Sequence, residues 1–218
     1  METDNRAMSG SIPGVVFLWS KKGIVMKNQR VLILMEIAIF AALGYVLDMI
    51  GFGMPQGGSV TFVLVPVILM AFRRGVVAGL ATGFLIGVLQ VVTGRFYAAP
   101  LSFEIVIAQV AIDYFIAFMV AGFAGFLRPA FIQAFEQKDK VKMITAVVIG
   151  AFIAGFLRYL AHVTSGILFF GEFAGDQNVI LYSLIYNSTY MIPVFLLAAF
   201  ICSILFVKAP RLALPNSH

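Results

Sequence analysis

VKMITAVVIGAFIAGFLRYLAHVTSGI, residues 141–167, is apolar enough for a membrane helix yet carries two groups that such a helix disfavours. Arg158 and His162 lie four residues apart, one helical turn, and so share a face. An ionisable residue at the centre of a span costs about 2.5–3.5 kcal/mol on insertion scales, so it faces a partner or a polar cavity. The same run places Ala146, Gly150, Ala154, Arg158, His162 and Gly166 at steps of four. Its first half is small and packable, its second half polar, which predicts a packed half and a half bordering a cavity. Since a turn takes 3.6 residues, this stripe is expected to drift around the axis rather than hold one face.

The rest of the chain is as apolar: 61% hydrophobic and only 11% charged over 218 residues, with 22 Phe. Soluble domains carry about 25% charged residues, so this composition belongs in lipid. The hydrophobic runs predict an all-α integral membrane protein whose six helices cover 31–51, 59–73, 75–93, 103–127, 141–167 and 180–206. The second is short and holds Pro66, tolerable where neighbouring helices satisfy the freed carbonyl. Taken alternately, the loops on one side collect the basic residues of 6–30, Arg73, Arg74, those of 128–142, Lys208 and Arg211. The other side receives Arg95 and, near a helix end, Arg158. By the positive-inside rule both termini are expected in the cytoplasm, with segments 51–58, 94–102 and 172–179 outside. The net charge of +5 therefore reflects cytoplasmic loops rather than nucleic-acid binding. A single cysteine, Cys202, excludes an intramolecular disulfide and any cysteine metal cluster.

Residues 1–25 read as a separate N-terminal extension, disordered or preceding the true start, with the membrane domain over 26–218. The apolar patch Val15–Trp19 is too short for a secretory signal, which needs about 7–15 such residues and a cleavage site. In the first span Ala38 and Ala42 form a small-xxx-small step that lets another helix approach closely. From pattern alone, packing inside the bundle is the plainer reading and docking of a partner helix the alternative.

Chemistry concentrates in the outer halves of the last three spans. Gln109 and Asp113 lie one turn apart with Tyr114 adjacent; Tyr182, Tyr186 and Tyr190 repeat by four beside Asn187; and Phe169-Phe170 follow the histidine helix. An aromatic belt accounts for one or two tyrosines, but a buried amide needs partners. Together with His162 these groups describe a pocket for a small, planar, polar, cationic ligand. Aromatic faces would attract its charge and Asp113 would neutralise it. The alternative is an internal Asp113–Arg158 ion pair that only holds the bundle.

Several stretches carry a resemblance: Glu36-Ile37-Ala38 with Ala41-Ala42-Leu43, Phe72-Arg73-Arg74-Gly75, Gln109 to Asp113-Tyr114, and Arg158-Tyr159 with His162, Gly166 and Phe169-Phe170-Gly171, then Tyr182-Ser183 and Asn187. In this order and spacing, over residues 26–207, the chain resembles the thiamine-specific S component of energy-coupling factor (ECF) vitamin transporters. The resemblance implies six helices around an outward-facing vitamin pocket closed by the loop after the first span. It implies that Asp113 binds the aminopyrimidine and His162 lies in the pocket, with Gly166, Tyr182 and Asn187 as further contacts and Phe170 as stacking aromatic. Tyr114, Arg158 and Tyr97 fall near pocket positions, and Ala38 with Ala42 matches the patch that docks a transmembrane coupling subunit. It implies no catalytic residue, metal or cofactor in this chain; ATP would be used by two cytoplasmic ATPase subunits at the plasma membrane of a bacterium. Where the family often has Glu-Tyr this chain has Asp113-Tyr114, which shortens the reach. Phe170-Gly171 stands where Trp-Gly is common, which weakens stacking.

The chain lacks a G-x-x-x-x-G-K-[ST] phosphate loop and so cannot hydrolyse ATP through that motif. Other readings are a carrier for a thiamine precursor such as hydroxymethylpyrimidine, or for another vitamin. An intramembrane enzyme with Asp113 and His162 as acid and base is a different class, but no G-x-S-x-G nucleophile motif is present, and Ser165 reads only as a helix neighbour of the histidine. A proton-coupled carrier would use the same residues, without the internal repeats common in such carriers.

Overall fold

Apolar runs broken by glycine turns produce a chain of long helices. In the computed structural model the backbone is described for residues 13–214 apart from Gln56, and side chains from Gln29 onward. The chain divides into two units, Met1–Met35 and Glu36–His218. Helix α1 covers Pro13–Met49. Of the expected N-terminal extension, residues 1–12 lie outside the described residues and the remainder is helical. Strands β1 (Gly51–Gly53) and β2 (Ser59–Thr61) form an antiparallel hairpin pairing Gly51 with Thr61. Then come α2 (Leu64–Arg74), α3 (Val76–Val92), α4 (Phe103–Glu136), α5 (Lys140–Phe169) and α6 (Val179–Lys208).

Among the described residues four helical stretches are long and apolar enough to cross a membrane: Gln29–Met49, α4, α5 and α6. Their large apolar side chains are widely exposed, among them Ile39, Leu43, Phe152, Ile192, Leu196 and Phe200. Such surfaces belong against lipid, and the protein is a membrane protein. The other two helices are shorter. α2, at 11 residues, reaches only about 16 Å, half the hydrocarbon thickness. Its residues from Leu64 to Phe72 are all buried, making it an interior half-helix that other helices enclose.

Two expectations need correction. The second apolar run was expected to be helical over 59–73, but residues 59–61 are strand β2 and the helix starts at Leu64. The fold is thus helical with one small hairpin. Gly57 and Gly58 explain the change, since both take positive φ (88° and 83°), a turn conformation that interrupts a helix. Pro66 is consequently the third residue of α2, where a missing N–H would have had no intrahelical partner anyway. The second correction concerns α5. Ala146, Gly150, Ala154 and Arg158 are all buried, and His162 and Gly166 continue into the interior cavity, so the stripe stays inside along the whole helix. α5 packs against α4 and α6 together, and this wide interior sector absorbs the drift of about 40° per four residues.

Glycines set the spacing of α3 and α4. A Cβ on Gly83 would sit 2.0 Å from the carbonyl oxygen of Phe118, and one on Gly87 1.9 Å from that of Tyr114. Gly79, Gly83 and Gly87 therefore form a close-approach stripe, the membrane solution to helix association where lipid offers no hydrophobic drive. Within α4 the helix widens to π-type turns over Ala111–Ile116 and tightens to 3₁₀ over Val120–Leu127, so its pitch changes beside Asp113. Away from the hairpin, Phe72, Phe131 and Phe206 meet with ring centroids 5.1–5.6 Å apart, all buried. There Glu36 accepts from Arg73 at 2.8 Å and from Arg74 at 2.6 Å, while Arg73 also donates to the carbonyls of Arg211 and Leu212.

Candidate functional site

The hairpin end of Glu36–His218 encloses a cavity of about 570 Å³, within the range of small-ligand sites. All nine residues singled out as ligand contacts line it: Tyr97, Asp113, Tyr114, Arg158, His162, Gly166, Phe170, Tyr182 and Asn187. They come from α4, α5, α6 and the 94–102 and 170–178 connections, so no single element makes the site.

Asp113 is the junction of its floor. His162 Nδ1 lies 2.9 Å from Asp113 Oδ1, Ser165 Oγ donates to Oδ2 at 2.6 Å, and Gln109 Nε2 reaches Oδ2 at 3.4 Å. Arg158 Nε donates to His162 Nε2 at 3.3 Å. A guanidinium only donates, so Nε2 accepts and the imidazole proton sits on Nδ1, pointing at Asp113. The result is a relay from guanidinium through a neutral imidazole to carboxylate. The expected alternative, a direct Asp113–Arg158 ion pair, is not what forms: His162 stands between them, and the Arg158 guanidinium lies 4.1 Å over the Phe118 ring. Arg158 is 5% exposed and its Nη1 has no hydrogen-bond partner. Ser165, read from sequence as a mere neighbour, is instead a direct ligand of the acid, because the wide turns of α4 bring Asp113 between two residues of α5.

Gln109 and Tyr114 also fix the loop above. Gln109 Nε2 donates to Tyr97 O at 2.8 Å while its Oε1 accepts from Ala99 N, and Tyr97 N donates to the Tyr114 hydroxyl at 2.7 Å. The Tyr97 ring stacks on Phe170 at 6.0 Å, and Phe170 continues to Phe173. On α6, Asn187 Nδ2 donates to Ser183 O at 2.8 Å, and its Oδ1 accepts from the Tyr190 hydroxyl. The buried amide thus has the partners its burial requires. Gly166 admits this cluster, since a Cβ there would lie 2.2 Å from Ser183 Oγ. The hairpin closes one side: the Tyr186 hydroxyl donates to Gly57 O at 2.9 Å, and Gly58 rests on the Tyr190 ring.

A model of the thiamine transporter protein family matches residues 34–214. The chain belongs to this family. It is 41% identical to the thiamine transporter ThiT of Bacillus subtilis (strain 168) over 191 residues, covering 85% of this chain and 96% of that one. It is 29% identical to the thiamine transporter ThiT of Lacticaseibacillus paracasei (strain ATCC 334), over 85% of this chain and 92% of that one. The solved structure of ThiT from Listeria monocytogenes superposes with a TM-score of 0.79 at 31% identity, covering 86% of this chain and all of the other.

Sequence reasoning missed two charged cavity residues of this thiamine transporter family member, the exposed Arg95 and the acid Asp48. Asp48, in the last turn of α1, lines the cavity and accepts from Thr61 Oγ1 at 3.1 Å and Gln90 Nε2 at 2.8 Å. An acid inside an apolar run was the available signal. Ala38 and Ala42 lie outside the cavity; both are exposed, whereas Ala41 and Gly44 are buried. The small residues of α1 therefore split, one pair packing inward and the other facing out.

Proposed function

We propose that this chain is the thiamine-binding S component of an ECF-type importer, capturing thiamine outside the bacterial plasma membrane and delivering it inward. One observation carries the reading most: the nine residues assigned from sequence converge on a single cavity. Thiamine suits such walls, carrying two planar aromatic rings and a permanent positive charge. In this reading Asp113 takes the aminopyrimidine, held ready by His162, Ser165 and Gln109. Phe170 and Tyr97 stack on the ligand, and Asn187 with Tyr182 orients it. Preorganised partners reduce the ordering cost of binding.

The family kinship supports a carrier rather than an enzyme. Transport requires a transmembrane coupling subunit and two ATPases, since this chain has no ATP-binding loop of its own. The exposure of Ala38 and Ala42 supports their use as the docking step for that coupler, because small residues facing out invite a close helix. Six membrane segments with both termini cytoplasmic accord with the basic loops. The short α2 counts as a segment enclosed by its neighbours.

Calorimetric titration of the detergent-solubilised protein with thiamine tests the reading. One-to-one binding that collapses in Asp113→Asn is expected. No heat from a folded wild type would reject thiamine, and competition with hydroxymethylpyrimidine separates a vitamin site from a precursor site.

A further inference from the structure

The two carboxylates of the cavity differ in how their oxygens are engaged. Asp113 takes His162, Ser165 and Gln109, with His162 in turn held by the buried Arg158. Asp48 receives only the hydroxyl of Thr61 and the amide of Gln90, both uncharged. Among the described residues no ion pair includes Asp48. Arg95 also lines the cavity, but it is exposed, and water attenuates its field. The buried part of the cavity therefore sets two carboxylates, Asp113 and Asp48, against the one buried guanidinium of Arg158, leaving one negative charge in excess.

Geometry suits this charge to a ligand. Each Asp48 oxygen accepts one bond, leaving further lone pairs. The donors come from β2 and α3, so the carboxylate is gripped from two sides where α1 meets the hairpin. A carboxylate fixed in this way needs little reorganisation when a cation arrives, and inside a wall of protein its attraction exceeds that in water.

We propose that Asp48 is the residue by which this site selects a permanent positive charge, acting as counter-ion to the ligand's cationic ring while Asp113 serves the hydrogen-bonding ring. The proposal rests on thiamine as ligand. It assigns the two acids different tasks: Asp48 reads charge and Asp113 reads donors.

The test compares thiamine with an analogue whose thiazolium is replaced by a neutral thiophene of the same shape, titrated into the full chain in detergent. Wild type is expected to prefer thiamine about tenfold or more. In Asp48→Asn thiamine should weaken by that factor, with the neutral analogue staying within about twofold, so the preference disappears. Asp48→Glu should keep it, and Asp113→Asn should weaken both ligands alike. Thr61→Val, which loosens the hairpin bond but keeps the acid, should also retain the preference. Equal loss of both ligands in Asp48→Asn, or no loss, overturns the proposal. Equal binding of both ligands by wild type overturns it without any variant, should Asp48→Asn fail to fold. Failure of wild type to bind thiamine at all instead overturns the proposed function, and this proposal with it.

Discussion

The two ends of the helical unit solve opposite problems. At the end that carries Phe72, Phe131 and Phe206 the interior is dry, filled by rings and by alanines such as Ala124, Ala146 and Ala198. At the hairpin end the same helices surround about 570 Å³ lined by acids, two arginines, a histidine and tyrosines. α5 belongs to both: its first half offers Ala146, Gly150 and Ala154, its second Arg158, His162 and Ser165. Packing at one end holds the frame against which polar groups at the other can stay desolvated and aligned. Stability and binding should accordingly separate by location.

The sharpest break of that contrast is Phe72→Ala. Deleting a fully buried ring at the dry end should cost about 3–5 kcal/mol, seen as a large drop in Tm, while thiamine affinity of the protein still folded stays within about twofold. An equal loss of affinity would mean the two ends are one cooperative unit. Asp113→Asn should do the reverse, losing about 1.5–3 kcal/mol of binding, roughly ten- to a hundredfold, with a much smaller change in Tm. Gly87→Ala probes the border. Its methyl would meet the carbonyl of Tyr114, a cavity residue, so both Tm and affinity should fall, by about 1–3 kcal/mol in stability. If only Tm moves, α3 and α4 can part without disturbing the site.

The smallest effect lies outside the membrane. Asp139 caps α5 by accepting from Lys142 N at 3.0 Å, and that bond holds its carboxyl below the usual carboxylate range. A depressed carboxylate stabilises the fold above its unfolded pKa and ceases to do so as pH falls through its folded one. Asp139→Ala should therefore lower Tm slightly at pH 7, and the gap to wild type should close as pH falls below the usual carboxylate range. A gap that persists there would assign the effect to something other than the charged cap.

Much of this was legible in the chain because lipid imposes simple rules. Long apolar runs at 103–127, 141–167 and 180–206 did become α4, α5 and α6, as backbone groups in hydrocarbon must pair within a helix. The ionisable residues deep inside those runs, Asp113, Arg158 and His162, all line one cavity, since none can face lipid cheaply. Three things were not legible. The strand at 59–61 depended on the Gly57–Gly58 turn and on Asp48 across the hairpin. Ser165 became a ligand of Asp113 through a local widening of α4, which no periodicity announces. The stripe Gly79, Gly83 and Gly87 was visible as spacing, but only the carbonyls of Tyr114 and Phe118 lying against it reveal what it does.

Sequence alone determined the solvent this protein lives in, its apolar segments and the few polar residues obliged to gather, because those follow from composition and from the cost of charge in hydrocarbon. Tertiary structure decided which partner each polar residue takes. Whether Asp113 meets Arg158 or His162, whether Ala38 packs inward or faces out, and how many partners each acid takes depend on distances of a few ångströms between helices distant in sequence, and those are set by glycine contacts and helix pitch.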